Sequence, residues 1–309
     1  MPNAYTDTSA LGGLVKAAYD RYVEFQLRSQ PLFRNLADKR PVQQAMPGSS
    51  VVFSLYQDLA AQTATLTETT DPDAVALSDV TTVSVTLNEY GNVVLQTKKL
   101  GEFAFSDVDP AVANIIAFNM ADSIDKIVVN VLRAGNNVEF AGSATATSAV
   151  TAAMTISSAD VRKVVAKLRG ANAVPREGML YAAYIHPDVA FDLRAETGAN
   201  AFEDIRKYTD PNVGAILNQT TGVLGGAYFV ETPRAYKAND GASSATVYRT
   251  IIAGQQALAE ATAVEPGVVI GPVVDKLMRF RPIGWYSLQG WARYREAALY
   301  RIESGSSIA

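Results

Sequence analysis

The longest periodic pattern in the chain lies between residues 107 and 136. Val112, Ile115, Ile116, Met120, Ile124, Ile127, Val128, Val131 and Leu132 fill most faces of a helix, and Asn119, Asp122, Ser123, Lys126, Asn130 and Arg133 form a narrow polar stripe at steps of three and four. Asp109 and Pro110 suit the start: a carboxylate accepts from free backbone N–H groups, and proline's fixed φ fits the first helical position. Arg133 favours the negative end of the dipole, and Gly135 is expected to stop the helix in a left-handed conformation. A rod of about 25 residues at ~1.5 Å each measures roughly 37 Å, enough to cross a whole domain.

Weaker patterns surround it. Residues 9–28 predict an amphipathic helix through Leu11, Leu14, Val15, Ala18, Tyr22 and Phe25, and Pro31 and Pro41 break the pattern beyond it. After Pro47-Gly48, residues 50–59 and 80–100 read as two strands, the second alternating through Val83, Val85 and Leu87. The stretch between them is polar and Thr-rich, with a turn at Asp71-Pro72-Asp73. Such a two-stranded excursion is marginal in water on its own and has to lie against something. Gly91, inside the second strand, suggests a bulge or a bend. Residues 141–154 read as a surface loop or edge hairpin. A helix comes next over 157–168, with Ser157 and Asp160 as a capping box and Gly170 as its stop. Beyond Pro175 come short elements: strands at 179–185, 227–231, 248–253 and 268–270 and a helix at 187–194, read together as an α/β unit over 176–272. The tail, 276–304, carries two strands in which aromatic residues and arginines alternate.

Composition narrows the function classes. The 309 residues are 48% hydrophobic, ample for a buried core, and a net charge of −4 argues against a protein built to grip nucleic acid over a broad basic face. A mildly positive arm remains, with Lys16, Arg21, Arg28, Arg34, Lys39 and Arg40 against Asp20, Glu24 and Asp38; it reads first as a solvated face. There are no cysteines, so disulfides, thiolate metal sites and a cysteine nucleophile are excluded. The N-terminus lacks the layout of a signal peptide, and no run approaches the ~20 apolar residues of a membrane span; a soluble cytoplasmic protein is the expectation.

Motifs of catalysis are missing: GxGxxG, Walker loop, HExxH and G-x-S-x-G do not occur. The chain has one histidine, His186, and His186-Pro187-Asp188 reads as a helix start rather than as chemistry. Glu68, Asp71 and Asp73 do not match a calcium loop. In the tail, Lys276, Arg279, Arg281, Arg293, Arg295 and Arg301, interleaved with Trp285, Tyr286, Trp291 and Tyr294, could touch nucleic acid. Interface strands with paired charges have the same look, and that reading is preferred. No catalytic, cofactor or metal residues are assigned.

The order of these parts resembles the major capsid proteins of tailed bacteriophages, whose fold is shared by herpesvirus capsid floors and bacterial encapsulin shells. The residues that carry the resemblance are a helix ending in aromatic and basic side chains (19–28), a PGSSVVFSLY strand (47–56) and a Thr-rich tip (63–70). A strand with an internal Tyr90-Gly91 pair, the segment 186–188 and a late Gly284-Trp285-Tyr286 strand complete the set. The resemblance implies an α+β capsid fold: an N-terminal arm at 1–46, an extension-loop hairpin at 47–100 with its tip at about 57–80, a peripheral domain at 101–175 and 273–309 with spine helix 109–134, and an axial domain at 176–272. It implies a non-enzymatic homo-oligomer of pentamers and hexamers, assembled in the host bacterial cytoplasm into a virion capsid around double-stranded DNA held by loose electrostatic contact. It also leaves room for portal, scaffold or decoration proteins and involves no membrane. Some relatives cross-link an extension-loop lysine to an asparagine. No lysine lies between 57 and 80 here, and Lys98 and Lys99 are expected too near the hairpin base for that. The alternatives are an encapsulin-like shell of the same fold, told apart by its cargo, a strand-dominated tail-tube or adhesin protein, and an enzyme whose site is assembled from scattered acidic and arginine residues.

Overall fold

A computed structural model describes residues 28–41, 50–56, 58–66, 68–69, 71–77, 81–103, 108–197, 220–273 and 275–308. The helix expected over 9–28 lies outside these residues except for Arg28, as do Pro47-Gly48 and the side chain of the expected cap Asp109. In chain order the strands are β1 (Ala37–Pro41), β2 (Ser50–Leu55), β3 (Thr81–Thr86), β4 (Asn88–Thr97), β5 (Val138–Phe140), β6 (Tyr181–Ile185), β7 (Thr220–Leu224), β8 (Ala227–Glu231), β9 (Lys237–Ala238), β10 (Val247–Ala253), β11 (Leu258–Ile270), β12 (Phe280–Arg293) and β13 (Leu299–Ser304). The helices are α1 (Lys98–Phe103), α2 (Val108–Arg133), α3 (Ser158–Gly170) and α4 (Pro187–Ala195).

Helix α2 is the long rod, 26 residues and so about 39 Å. Its wide apolar surface is used on two sides. Ile124, Val128, Val129 and Leu132 are buried together with Leu258 and Trp291 from one sheet and with Ala182, Tyr184, Ile251 and Ala253 from another. Each such side chain, fully buried, contributes roughly 1.5–3 kcal/mol. The helix ends differently from the expectation: Gly135 is not in the left-handed region. Instead Arg301 Nη1 donates to the Arg133 carbonyl at 2.8 Å, and Arg293 Nη1 donates to the Val131 carbonyl at 3.2 Å. Cations from the C-terminal part of the chain thus occupy carbonyls that the helix itself cannot satisfy. Gly135 keeps this junction small, since a Cβ there would stand 3.2 Å from a Leu299 methyl and 3.3 Å from Glu296 Oε1.

Two sheets flank the rod. The larger runs in the order β5-β13-β10-β6-β8-β7, with β9 beside β10. Its central strand β6 is buried throughout because both faces are covered. Tyr181, Ala183 and Ile185 join Val161, Val164 and Leu168 of α3 and Val189 and Leu193 of α4, while the alternate residues Ala182 and Tyr184 share the core that contains α2. The start of α3 is as the sequence predicts: Ser157 caps it, and both bonds of the box with Asp160 form. It ends at Gly170 as expected, and the left-handed residue that turns the chain away is Asn172, with φ 55°. The smaller sheet runs β1-β11-β12-β4.

The expected hairpin exists, but its second arm is two strands rather than one. β3 pairs antiparallel with β2, and after Leu87 the chain enters β4, which pairs along its whole length with β12. Gly91 makes no bulge, since the β4–β12 register is continuous past it. Its glycine is needed for closeness: a Cβ would sit 2.7 Å from the Trp285 carbonyl oxygen.

Sheet membership does not follow chain order. β11, placed with the 176–272 unit, belongs to the smaller sheet, because its whole length pairs with β12 and its first residues with β1. β5, α3 and β13, assigned to the flanking segments, belong to the larger sheet. Local periodicity shows which residues extend and says nothing of which distant strand completes the ladder.

Val128 is fully buried in the core shared by α2 and both sheets. Val128→Asp places an unpaired charge there at a cost of several kcal/mol, comparable with the ~5–15 kcal/mol stability of an ordinary domain. The expected outcome is loss of soluble folded chain, read from the soluble fraction and from circular dichroism.

Candidate assembly surfaces

The hairpin is anchored at its base. Phe53 and Val85 are buried against Ala259, Ala261 and Tyr294, with the Phe53 and Tyr294 rings 5.6 Å apart. The backbones touch as well, since a Cβ on Gly290 would lie 2.1 Å from the Thr86 carbonyl oxygen. Past Leu55 the described residues form no strand ladder, and Tyr56, Leu59, Leu66, Val75 and Leu77 all stand exposed, Leu66 at 71% and Val75 at 76%. This segment is also acidic: Asp58, Glu68, Asp71, Asp73 and Asp79 lie between 57 and 80, with no lysine or arginine among them. Apolar side chains on an excursion without a core of its own mark a contact that one chain cannot complete.

The smaller sheet presents a second exposed surface. Trp285, on the face toward α2, donates from Nε1 to Asn119 Oδ1 at 2.9 Å. On the opposite face Gly284 stands between Val93 and Val269, and Tyr286 beside Gly91. Val93, Leu95 and Val269 are more than half exposed, and a groove of about 450 Å³ runs over the glycines. The hairpin base covers the other end of this same face, through Ala259, Ala261 and Gly290. At the far end of β4 the character turns basic. Lys98, Arg279 and Arg281 line a cleft of about 250 Å³ with Glu102, Val273, Met278 and Phe280, so three cations outnumber the one acid in its lining, though Arg279 is paired with Asp275; Leu277 and Met278 are exposed beside it. Lys98 and Lys99 therefore lie not at the hairpin base but a ten-residue strand away from it, roughly 33 Å.

Part of the polar stripe of α2 is turned inward, although Lys126 and Asn130 stay exposed. Asn119 accepts from Trp285 and from Asn92, and Asp122 accepts from Arg234 and pairs with Lys126 at 2.8 Å. Asp125, which helical periodicity does not single out, is 1% exposed. It accepts from Arg234 Nε at 2.6 Å and from the backbone N–H of Phe33 at 2.8 Å. An acid set between the buried Ile124 and Val128 was the available signal; its partner lies 109 residues away.

The residues flagged for chemistry serve the fold. His186 caps α4, its Nδ1 accepting from the Asp188 backbone N–H at 3.2 Å, with Pro187 in the first turn. Burial holds the imidazole below its ordinary pKa. Asp188 also accepts from the Tyr248 hydroxyl at 2.6 Å. In the tail, Arg279 pairs with Asp275, Arg293 with Glu296 and Arg301 with Glu303, and both tryptophans are buried, which is the paired-charge pattern and not a stacking platform. Among the described residues no three His, Asp or Glu side chains converge as a metal site would require.

Several buried carboxylates are held ionised. For Glu303, burial alone would raise the pKa, but hydrogen bonds from Thr147 and Arg301 and the charges of Arg249 and Arg301 outweigh it and keep the group below its ordinary value. Glu139 behaves likewise between Lys163 and Lys167 of α3, and Asp122 between Lys126 and Arg234; in both, burial opposes and the cations prevail.

Known proteins share this architecture. A family profile described as phage capsid protein matches residues 12–307. No curated protein sequence matches the chain. Among solved structures, the capsid asymmetric unit of cyanophage Pam1 is similar with a TM-score of 0.77 at 15% identity, over 99% of this chain and 100% of that one. The capsid of Ralstonia phage GP4 gives 0.76 at 14% identity over 95% and 96%, and the capsid of a native GTA particle 0.68 at 14% over 98% and 100%. At these identities the structural likeness speaks for the fold.

The buried acids predict a one-sided pH dependence. Glu303, Glu139 and Asp122 have folded-state pKa values below the unfolded ones, so their contribution is complete above the ordinary carboxylate range of about 4 and is lost as pH falls through it. The melting temperature is expected to stay level from pH 8 to about 5 and to drop below that, as followed by circular dichroism. A substitution series separates the two acids of α2. Asp122→Ala removes one charged hydrogen-bond partner from Arg234 and is expected to cost about 1.5–3 kcal/mol with the fold retained. Asp125→Ala leaves the Arg234 guanidinium without its most buried partner and the Phe33 N–H without an acceptor, and is expected to cost roughly 3–5 kcal/mol. Urea titrations of both variants measure the difference.

Proposed function

The chain belongs to the phage capsid protein family, and from that premise we propose how its surfaces build a wall. It is a major capsid protein, a structural protein of the shell. We assign the smaller sheet with α2 to the peripheral domain, the larger sheet with α3 and α4 to the axial domain, residues 50–86 to the extension-loop hairpin and the residues before β1 to the N-terminal arm. Copies join as pentamers and hexamers into an icosahedral virion capsid. The capsid encloses the double-stranded DNA of a tailed phage, assembles in the host bacterial cytoplasm and performs no catalysis. With a net charge of −4, contact with the packaged DNA stays loose and electrostatic. Portal, scaffold or decoration proteins have room beside it.

One observation carries the proposal: a chain with an acidic, apolar excursion at one place and a basic, apolar sheet end at another. Between identical copies that pairing is heterologous, each subunit giving its excursion and receiving its neighbour's, and such contacts close into rings when the rotation allows. Exposed Leu66, Val75 and Leu77 supply burial, while Asp71 and Asp73 facing the net positive charge around Lys98 supply register and steering.

Purified chain is expected to give closed shells, or capsomers that convert to shells, in electron micrographs. A monodisperse monomer under every assembly condition would overturn the reading. Asp71→Lys combined with Asp73→Lys is expected to lower the assembled fraction at least tenfold in sedimentation at low salt while leaving the circular dichroism spectrum of the subunit unchanged. Nucleic acid inside the particles separates a genome shell from a compartment holding protein cargo.

A further inference from the structure

Residues 28–41 run like a strap over three parts of the molecule. Arg28 Nη1 donates to Asn114 Oδ1 on α2 at 2.8 Å. Phe33 and Leu36 are buried in the common core, Phe33 with its ring 4.9 Å from that of Tyr184 on β6. Arg34 Nη2 reaches Glu260 at 2.6 Å, a fully buried acid on the smaller sheet, and β1 then pairs in parallel with β11. From the larger-sheet side, Arg176 Nη1 donates to the Leu36 carbonyl at 3.1 Å.

At the centre of this crossing Arg234 meets Asp125. Arg234 sits in the turn after β8, and that turn is fixed by its own bonds: Thr232 N–H donates to the Ile185 carbonyl at 2.9 Å, and Ala235 N–H donates to the Thr232 carbonyl at 3.3 Å. The guanidinium spreads in three directions. Nε donates to Asp125 Oδ2 at 2.6 Å, Nη2 to Asp122 Oδ1 at 2.5 Å, and Nη1 to Ser29 Oγ at 3.2 Å. The second Asp125 oxygen holds the strap itself, through the Phe33 N–H. One buried carboxylate therefore takes a bond from the axial-side turn on one oxygen and from the strap on the other.

We propose that Arg234 and Asp125 form a latch that couples the seating of residues 28–36 to the position of the larger sheet against α2. Apolar packing of Phe33 and Leu36 favours a seated strap but is non-directional, and it tolerates small slides of one sheet past the helix. The planar fork is directional, and its bonds are lost together if the turn carrying Arg234 moves by about an ångström or two. When it opens, Asp125 loses its cation, and the Phe33 N–H faces an acceptor whose charge has become costly to bury. Strap release and displacement of the larger sheet then become one event. The latch belongs to the single chain, so it holds or fails independently of how copies assemble.

The test is hydrogen–deuterium exchange on the full-length soluble chain. Arg234→Lys keeps the charge and removes the fork. Amides of residues 29–36 and of the turn at Thr232 and Ala235 are expected to exchange at least tenfold faster together, with the ladder amides of β6 and β10 unchanged, since a sheet that shifts as a body keeps its own bonds. Ser29→Ala, a milder change that removes one donor's acceptor, is expected to give a smaller acceleration confined to the same segment, and it serves if Arg234→Lys does not fold. Asp125→Asn combined with Arg234→Lys is expected to exchange no faster at 29–36 than the faster single variant, as a shared interaction demands. Unchanged exchange at 29–36, a uniform rise across the sheet strands, or additive effects in the double variant would each overturn the latch.

Discussion

A helix can be the common wall of two sheets only if it is buried on opposite sides, and such burial leaves little room for the charges a chain needs elsewhere. Helix α2 meets this constraint with one buried arginine set against two of its acids. Asp125 lies among the apolar positions of the helix, at 1% exposure, and is made tolerable by Arg234 and by a backbone N–H from the segment before β1. The hydrophobic contacts of Val128, Leu132, Tyr184 and Trp291 supply most of the cohesion around it. The ion pair supplies alignment, because a guanidinium fork accepts few orientations whereas apolar surfaces accept many. Both sheets, the strap over residues 28–41 and the turn after β8 take their places relative to that point.

What the sequence reveals is what local physics decides. The box of Ser157 and Asp160, the strand at 227–231 and the cap at His186 are each set by neighbours within a few residues, and each is found where it is expected. What it conceals depends on distant partners. The first half of β11 reads poorly as a strand because Leu258-Ala259-Glu260-Ala261 lacks β-branched residues. Its alanines are small because Phe53 and Tyr294 press on them, and its glutamate is buried because Arg34, 226 residues away, reaches it. Asp125 escapes notice for the same reason. The excursion without a core was legible, but the basic sheet end was not, since it forms only when the end of β4 and the start of β12 come side by side.

The arrangement also separates rigid from adaptable parts. Arginine–carboxylate pairs sit where elements meet: Arg34 with Glu260, Arg234 with Asp125, Arg249 with Glu303. Many of the exposed apolar side chains lie instead on the excursion past β2 and on the outer face of the smaller sheet. A subunit that must keep its own shape while matching several neighbours is served by that division. Its interior is specified by directional bonds, and its contact surfaces rely on area and long-range charge, which tolerate small differences of angle.

The way α2 ends has a consequence in time. The Arg133 carbonyl is occupied by Arg301, 168 residues further along the chain. At synthesis rates of roughly 5–20 residues per second, the helix leaves the ribosome some ten to thirty seconds before the residue that closes it. During that interval its last turn and its apolar flanks have no partners from β12 or β13. The chain therefore has a built-in order of completion: the rod is made early, waits partly bare, and is sealed only once β12 and β13 have been made.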